Sequence, residues 1–312
     1  MTIAELNQRY GAPGRIVFHV GHCGYPEVVL TNKYGAAEVA LMGANTLSYR
    51  PTGHSPVIFR PARRDYNRGE SFHGGIPVCW PQFGRLAIPG MAQHGFARVM
   101  PFAVRGTRYT EDETEITLGL ASDAETKRLF PYDFDLEVKI SVSMKLNLRL
   151  TTTNTGGRPF EFTGGFHPYF TVRERDNVVV KGLDGVPYVY AEDMTEHVQE
   201  GDLAMTTSTD HVFTLPAAPK HEFAILDHGL GRAIAMVSSG NGSAIVWNPG
   251  PENVLSDFTP DDWRRFVCVE PVTAWPKALR ALGPGERHEL LVAIQASADD
   301  PNGDAACKSP LS

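Results

Sequence analysis

The sequence predicts an all-β protein, a large antiparallel β-sandwich, and three observations carry that prediction. Residues 135–150 alternate without a fault. Leu136, Val138, Ile140, Val142, Met144, Leu146, Leu148 and Leu150 are apolar, and every residue between them is polar. Period-two alternation marks strand with one buried face. Glycine (30) and proline (23) are frequent among the 312 residues, which suits many turns rather than long helices. Further short apolar or alternating runs recur roughly every ten to twenty residues, the rhythm of a sandwich rather than of alternating βα units.

The elements follow in order. Residues 2–9 are a weak helix candidate. Ile16–Val20 and Val28–Leu30 read as strands on either side of a turn at Gly21–Pro26. Ala37–Leu41 follows a Tyr-Gly turn, and Glu115–Leu120 alternates. The run 135–150 is long for one strand. At ~3.3 Å per residue it would span roughly 50 Å, so a bulge, bend or tight turn is expected near Lys145–Asn147. Ala244–Trp247 and Phe266–Val269 are short apolar strands, with a second weak helix candidate at 261–266. Leu290, Val292, Ile294 and Ala296 alternate after the turn Gly283-Pro284-Gly285. No repeat or low-complexity linker divides the chain. The expectation is one domain over residues 1–298, with 299–312 a loosely ordered, polar tail.

Composition narrows the function. The formal net charge is −7, which argues against broad binding to nucleic acid or to an anionic membrane. The four cysteines, Cys23, Cys79, Cys268 and Cys307, include no CxxC pair, so neither a zinc ribbon nor a dithiol site is indicated. No apolar run approaches a membrane span and the N-terminus lacks a secretory pattern, so a cytoplasmic protein with reduced thiols is expected. GxSxG, HExxH, the P-loop and a strand-following GxGxxG are all missing, which lowers the prior for the enzymes that carry them.

Three blocks carry chemistry. The first, 71–98, holds His73-Gly74-Gly75-Ile76-Pro77, Cys79-Trp80-Pro81-Gln82-Phe83-Gly84 and Gln93-His94-Gly95-Phe96-Ala97-Arg98. Rings flanked by hydrogen-bonding groups suit a sugar, whose apolar faces stack on aromatics while its hydroxyls need fixed partners. A structural loop whose rings fill the core reads equally well. The second is Phe162-Thr163-Gly164-Gly165-Phe166-His167-Pro168-Tyr169-Phe170. His167 is either a general acid or a satisfied core histidine. In the third, Val246-Trp247-Asn248-Pro249 is followed by Asp257 and by Phe266-Val267-Cys268-Val269-Glu270-Pro271. Glu270 closes an apolar run, where burial would raise its pKa toward a useful base, or where a salt bridge or cap would hold it.

Together the blocks resemble the aldose 1-epimerase superfamily, and more narrowly its hexose-6-phosphate mutarotase branch. That branch carries GGIP-C-PQFG, QHGFAR, H-x-YF and VCVE segments, all present here in order over residues 73–270. The resemblance implies a galactose mutarotase-like supersandwich, the sugar in a cleft across one sheet, and exchange of α and β anomers through ring opening. It implies Glu270 as base and His167 as acid. It also implies His94, Arg98, Asp210, His73, Gln82 and Trp247 as substrate-binding residues. Neither metal nor organic cofactor is required, and the expected partner is a small sugar or sugar phosphate, with the protein a monomer. The branch has arginines at two positions occupied here by His73 and His211. Arg98 is kept, and Arg60, Arg63, Arg64, Arg68 and Arg85 lie near the loop. A phosphate favours permanently charged, bidentate donors, so a hexose 6-phosphate and an unphosphorylated sugar both remain open. A non-catalytic sugar-binding protein on the same fold is the alternative. A glycoside hydrolase would need a second carboxylate roughly 5–10 Å from Glu270, with Asp210 the one nameable.

Overall fold

The computed structural model describes residues 1–61, 73–84, 90–206, 208–253, 255–274 and 278–298. Among these residues the strands form a nine-stranded and an eight-stranded sheet, with a four-stranded and a two-stranded sheet beside them. The tail 299–312 lies outside the described residues.

The alternating run is the central hairpin of the nine-stranded sheet, Phe134–Val142 and Leu146–Asn154. The expected break is a tight turn over residues 143–145, closed by the Ser143 amide donating to the Lys145 carbonyl at 2.8 Å. Val142 pairs with Leu146 across it. Those two positions differ by an even number, so the alternation passes through the turn unbroken in the sequence. Met144 alone leaves the buried set, standing 60 % exposed at the tip. Beside this hairpin lie Thr114–Ala121 on one side and the long strand Arg287–Ala298 on the other.

The predicted helix at the N-terminus is Ile3–Tyr10. Thr2 caps it by accepting from the Glu5 amide, while Glu5 reaches back to the Thr2 amide. That reciprocal box satisfies donors the first turn leaves free. The second helix candidate is only a 3-10 turn, Asp262–Arg265. The strands Ile16–Val20, Pro26–Asn32, Gly35–Ala40 and Thr46–Pro51 make the four-stranded sheet.

The two large sheets share one core. Leu136, Val138, Ile140 and Leu148 from the nine-stranded sheet cluster with Val78, Phe166, Val246 and Val269 from the eight-stranded one. Its other face is therefore free to carry a site. No helix among the described residues is long and apolar enough to cross a membrane.

Candidate active site

The site is built by register. In the eight-stranded sheet, Asp210 on Thr209–Thr214 stands opposite Trp247 on Ser243–Asn248. Trp247 in turn faces Cys268 on Phe266–Thr273, and Cys268 faces Tyr169 on Tyr169–Thr171. Directly paired residues share a face of the sheet, so these four form one lateral row. Two residues along, Val212, Ile245 and Glu270 form the next row on the same face. Val267 and Val269, offset by one, point into the core. The sequence reading ended this strand at Val269, with Glu270 at its tip. Instead the strand runs on to Thr273 and holds Glu270 in its interior. Pro271 lacks a ladder donor and reads as a stop. The strand continues because Val272 and Thr273 pair with Gly165 and Gly164.

His167 enters from the connection between Gly164–Phe166 and Tyr169–Thr171. Gly165 makes this possible. It has φ +156°, and a Cβ there would lie 2.5 Å from the Pro271 carbonyl oxygen, so only glycine lets the two strands press together. The His167 ring stacks on Tyr169 at 4.7 Å and lies 6.0 Å from Phe83. Its Nε2 sits 3.4 Å from Glu270 Oε1. Both residues are buried, and neither Glu270 oxygen nor His167 Nδ1 has a hydrogen-bond partner among the described residues. Burial pushes the Glu270 carboxyl well above the usual range, helped by the charge of Asp210. Burial pushes His167 well below its usual value, with His94 and Arg98 adding to the effect. Both shifts favour uncharged forms, so the empty site holds its proton on the carboxyl beside a neutral imidazole.

A loop completes the walls. Gly95, at φ +73°, lets the backbone turn against the Trp80 carbonyl, where a Cβ would lie 2.1 Å from the oxygen. The preceding His94 is thereby presented to the cleft, with its ring 5.4 Å from that of His167. His94 Nδ1 accepts from the Gly84 amide at 3.3 Å, so Nε2 carries the proton and can donate. Burial, with Arg98 and His73, takes its pKa down to about 3, which makes it a neutral donor rather than an acid. Asp210 is still reached by solvent, yet the protein packed around its carboxyl pushes it up to about 6. At the rim, His73 Nδ1 meets Asp257 Oδ1 at 2.8 Å, and the His73 amide donates to Asp257 Oδ2 at 2.9 Å. Arg98 donates to the Gln93 carbonyl at 3.1 Å. The cleft has a volume of about 480 Å³, within the roughly 300–1,000 Å³ of small-molecule sites.

The family model described as aldose 1-epimerase matches residues 26–295. The chain belongs to the aldose 1-epimerase family. Accordingly it is an enzyme of the epimerase or mutarotase type. It is 32 % identical over 246 residues to an Escherichia coli (strain K12) protein named "Putative glucose-6-phosphate 1-epimerase", covering 78 % of this chain and 81 % of that one. A Cenchrus ciliaris protein of the same name is 28 % identical over 287 residues, covering 88 % and 85 %. A solved Salmonella typhimurium structure titled "putative mutarotase" superposes with a TM-score of 0.85 at 28 % identity, covering 93 % of this chain and 96 % of that one.

Within the epimerase cleft the structure gathers His167, Glu270, His94, Arg98, Asp210, His73 and Trp247. Gln82 stands apart. It is buried, and its Nε2 donates to the Ala92 carbonyl at 2.8 Å, so it braces the loop instead of facing the cleft. His211 also fails to reach the cleft. As the neighbour of Asp210 on a strand it points to the opposite face, where it stacks on Tyr188 at 4.4 Å. Arg60 is committed to Glu38, with Glu27 at 3.9 Å, and so is no free phosphate ligand. Arg63, Arg64, Arg68 and Arg85 lie outside the described residues. The sequence reading missed Tyr169, Phe83 and Asp257 as parts of the site. All three stand in the quoted blocks, but only pairing register and loop geometry bring Tyr169 and Phe83 to the cleft wall and set Asp257 behind His73.

One group of side chains has the donors for a metal ion. A nitrogen of His167, the Cys268 sulfur and a Glu270 oxygen lie within 4.8 Å of one another, all buried. His19, Glu27 and Glu38 form a second such group, but its carboxylates already share the Arg60 guanidinium.

Proposed function

We propose that the enzyme interconverts the α and β anomers of an aldohexose, preferably a hexose 6-phosphate. The reading rests on the facing pair Glu270 and His167. In the reactive state the pair holds its one proton on His167. Glu270 then takes the proton of the C1 hydroxyl while His167 gives its proton to the ring oxygen, and the C1–O bond of the ring breaks. The open-chain aldehyde is left beside a protonated Glu270 and a neutral His167. Rotation about C1–C2 and reversal of both transfers closes the ring on the other face. The two uncharged forms that burial favours are those of the open-chain stage, which therefore needs no separated buried charges. His94 donates to a sugar oxygen, Asp210 accepts from hydroxyls, and Trp247 offers an apolar face.

The phosphate reading rests on Arg98 and His73 at the rim and on the names of the relatives. Asp257 orients His73 by accepting from its amide and meeting its Nδ1. Exchange NMR between the anomers of glucose 6-phosphate, glucose and galactose tests it. Faster exchange of the phosphosugar supports the reading, and acceleration of the free sugars alone overturns the phosphate part.

Arg98→Ala should raise KM for the phosphosugar roughly 30-fold, the equivalent of about 2 kcal/mol for a lost charge-assisted contact. KM for the free sugar should change far less. Equal effects on both substrates would remove Arg98 from the phosphate site.

A further inference from the structure

We propose that the floor of this cleft is also a binding site for a soft divalent cation of the zinc type, and that the bound ion switches the enzyme off. Three donors meet there: a nitrogen of His167, Cys268 Sγ and a Glu270 oxygen, all within 4.8 Å of one another. Imidazole, thiolate and carboxylate together suit zinc and its soft neighbours better than magnesium or calcium.

Two independent observations point to a ligand. Glu270 is 1 % exposed, and neither of its oxygens has a hydrogen-bond partner among the described residues. A buried carboxylate left so is costly unless a cation or a donor reaches it. The scaffold is also already in place. Cys268 and Glu270 are two residues apart on one face of the central strand, and His167 is held against them by the stack on Tyr169. In a tetrahedral zinc site, metal–ligand bonds of about 2.0–2.3 Å put the ligand atoms roughly 3.3–3.7 Å apart. His167 Nε2 and Glu270 Oε1 are already at 3.4 Å. The sulfur needs to close by at most about 1.5 Å, which a χ1 rotation of Cys268 can supply.

The charges also balance. Binding releases the Cys268 thiol proton and the Glu270 carboxyl proton to solvent. The resulting thiolate and carboxylate offset the two positive charges of the ion, leaving a neutral complex in a buried place. The fourth position faces the cleft and takes water or a sugar oxygen. The ion occupies the lone pairs that Glu270 and His167 need for proton transfer, so turnover stops. The inhibition rests on the acid–base reading above, but the binding does not.

The test titrates the full chain with Co²⁺ or Cd²⁺ and follows thiolate-to-metal charge-transfer absorption, with calorimetry for stoichiometry. Expected is one equivalent bound with a thiolate band. The band should vanish in Cys268→Ala and persist in Cys79→Ala, the other buried thiol. Cys268→Ser provides a second variant if the alanine form folds poorly by circular dichroism. In anomer exchange, Zn²⁺ should inhibit the wild type and a chelator restore it. Measured against its own metal-free rate, Cys268→Ala should need at least about tenfold more Zn²⁺ for the same fractional inhibition. No band in the wild type, or a band that survives loss of Cys268, overturns the site. A band without catalysis on any sugar would sink the mutarotase mechanism and leave the metal site standing.

Discussion

Glu270→Gln should lose roughly 10²–10⁴-fold in kcat, the worth of one positioned proton transfer, while the protein keeps its fold. Glutamine has the shape of a protonated glutamic acid, and that is the form burial already imposes in the empty site. The substitution therefore removes the base without removing the packing. Thermal stability at neutral pH should hold or rise slightly, because the substitution removes a carboxyl that the unfolded chain ionises and burial keeps protonated. KM should shift little, since Asp210, His94 and Trp247 still hold the sugar. The measurement is anomer exchange by NMR, paired with a melting curve of the same sample. Unchanged turnover would refute Glu270 as base. Lost turnover together with a lowered melting point would assign the residue to structure instead.

How much of this could be read from the chain depends on which interaction fixes each feature. Strands were legible where alternation is written by burial against one sheet, as in Phe134–Val142 and Leu146–Asn154. The turn between them was expected within two residues because strand length alone demanded a break. The apolar run closes at Glu270, so the sequence pattern bounds this strand at Val269, while its continuation depends on pairing with Gly164 and Gly165, far away in sequence. The same limit governs the site. Motif resemblance points to His167, Glu270, Asp210 and Trp247; register explains why Glu270, Asp210 and Trp247 share a face, while His167 joins them from the connection between two strands. His211 and Gln82 carry similar chemistry but point elsewhere. For His211 the alternation from Asp210 was available in the sequence and would have sent the side chain to the opposite face. For Gln82 nothing local distinguishes a brace donating to the Ala92 carbonyl from a hydroxyl-binding amide.

Trp80 makes the distinction between core and cleft testable. It lies in the glycine- and proline-rich loop that reads as a sugar platform, yet its ring is fully buried. It packs on Phe134 at 4.4 Å, Phe130 at 5.1 Å and Phe96 at 5.6 Å. None of these rings lines the cleft. Trp80→Ala should cost about 3–5 kcal/mol, the range for truncating a large buried aromatic. At roughly 1.5 °C per kcal/mol for a chain of this length, the melting point should fall by roughly 5–8 °C. Trp80→Phe should cost much less, because it keeps most of the ring and deletes an indole N–H that has no hydrogen-bond partner. KM measured on the folded fraction should stay close to wild type in both variants. A large rise in KM with little loss of stability would mean that Trp80 turns toward the sugar. In that case the aromatic cluster under the loop would be part of the binding surface, and the floor of the cleft would lie deeper than the row from Asp210 to Tyr169.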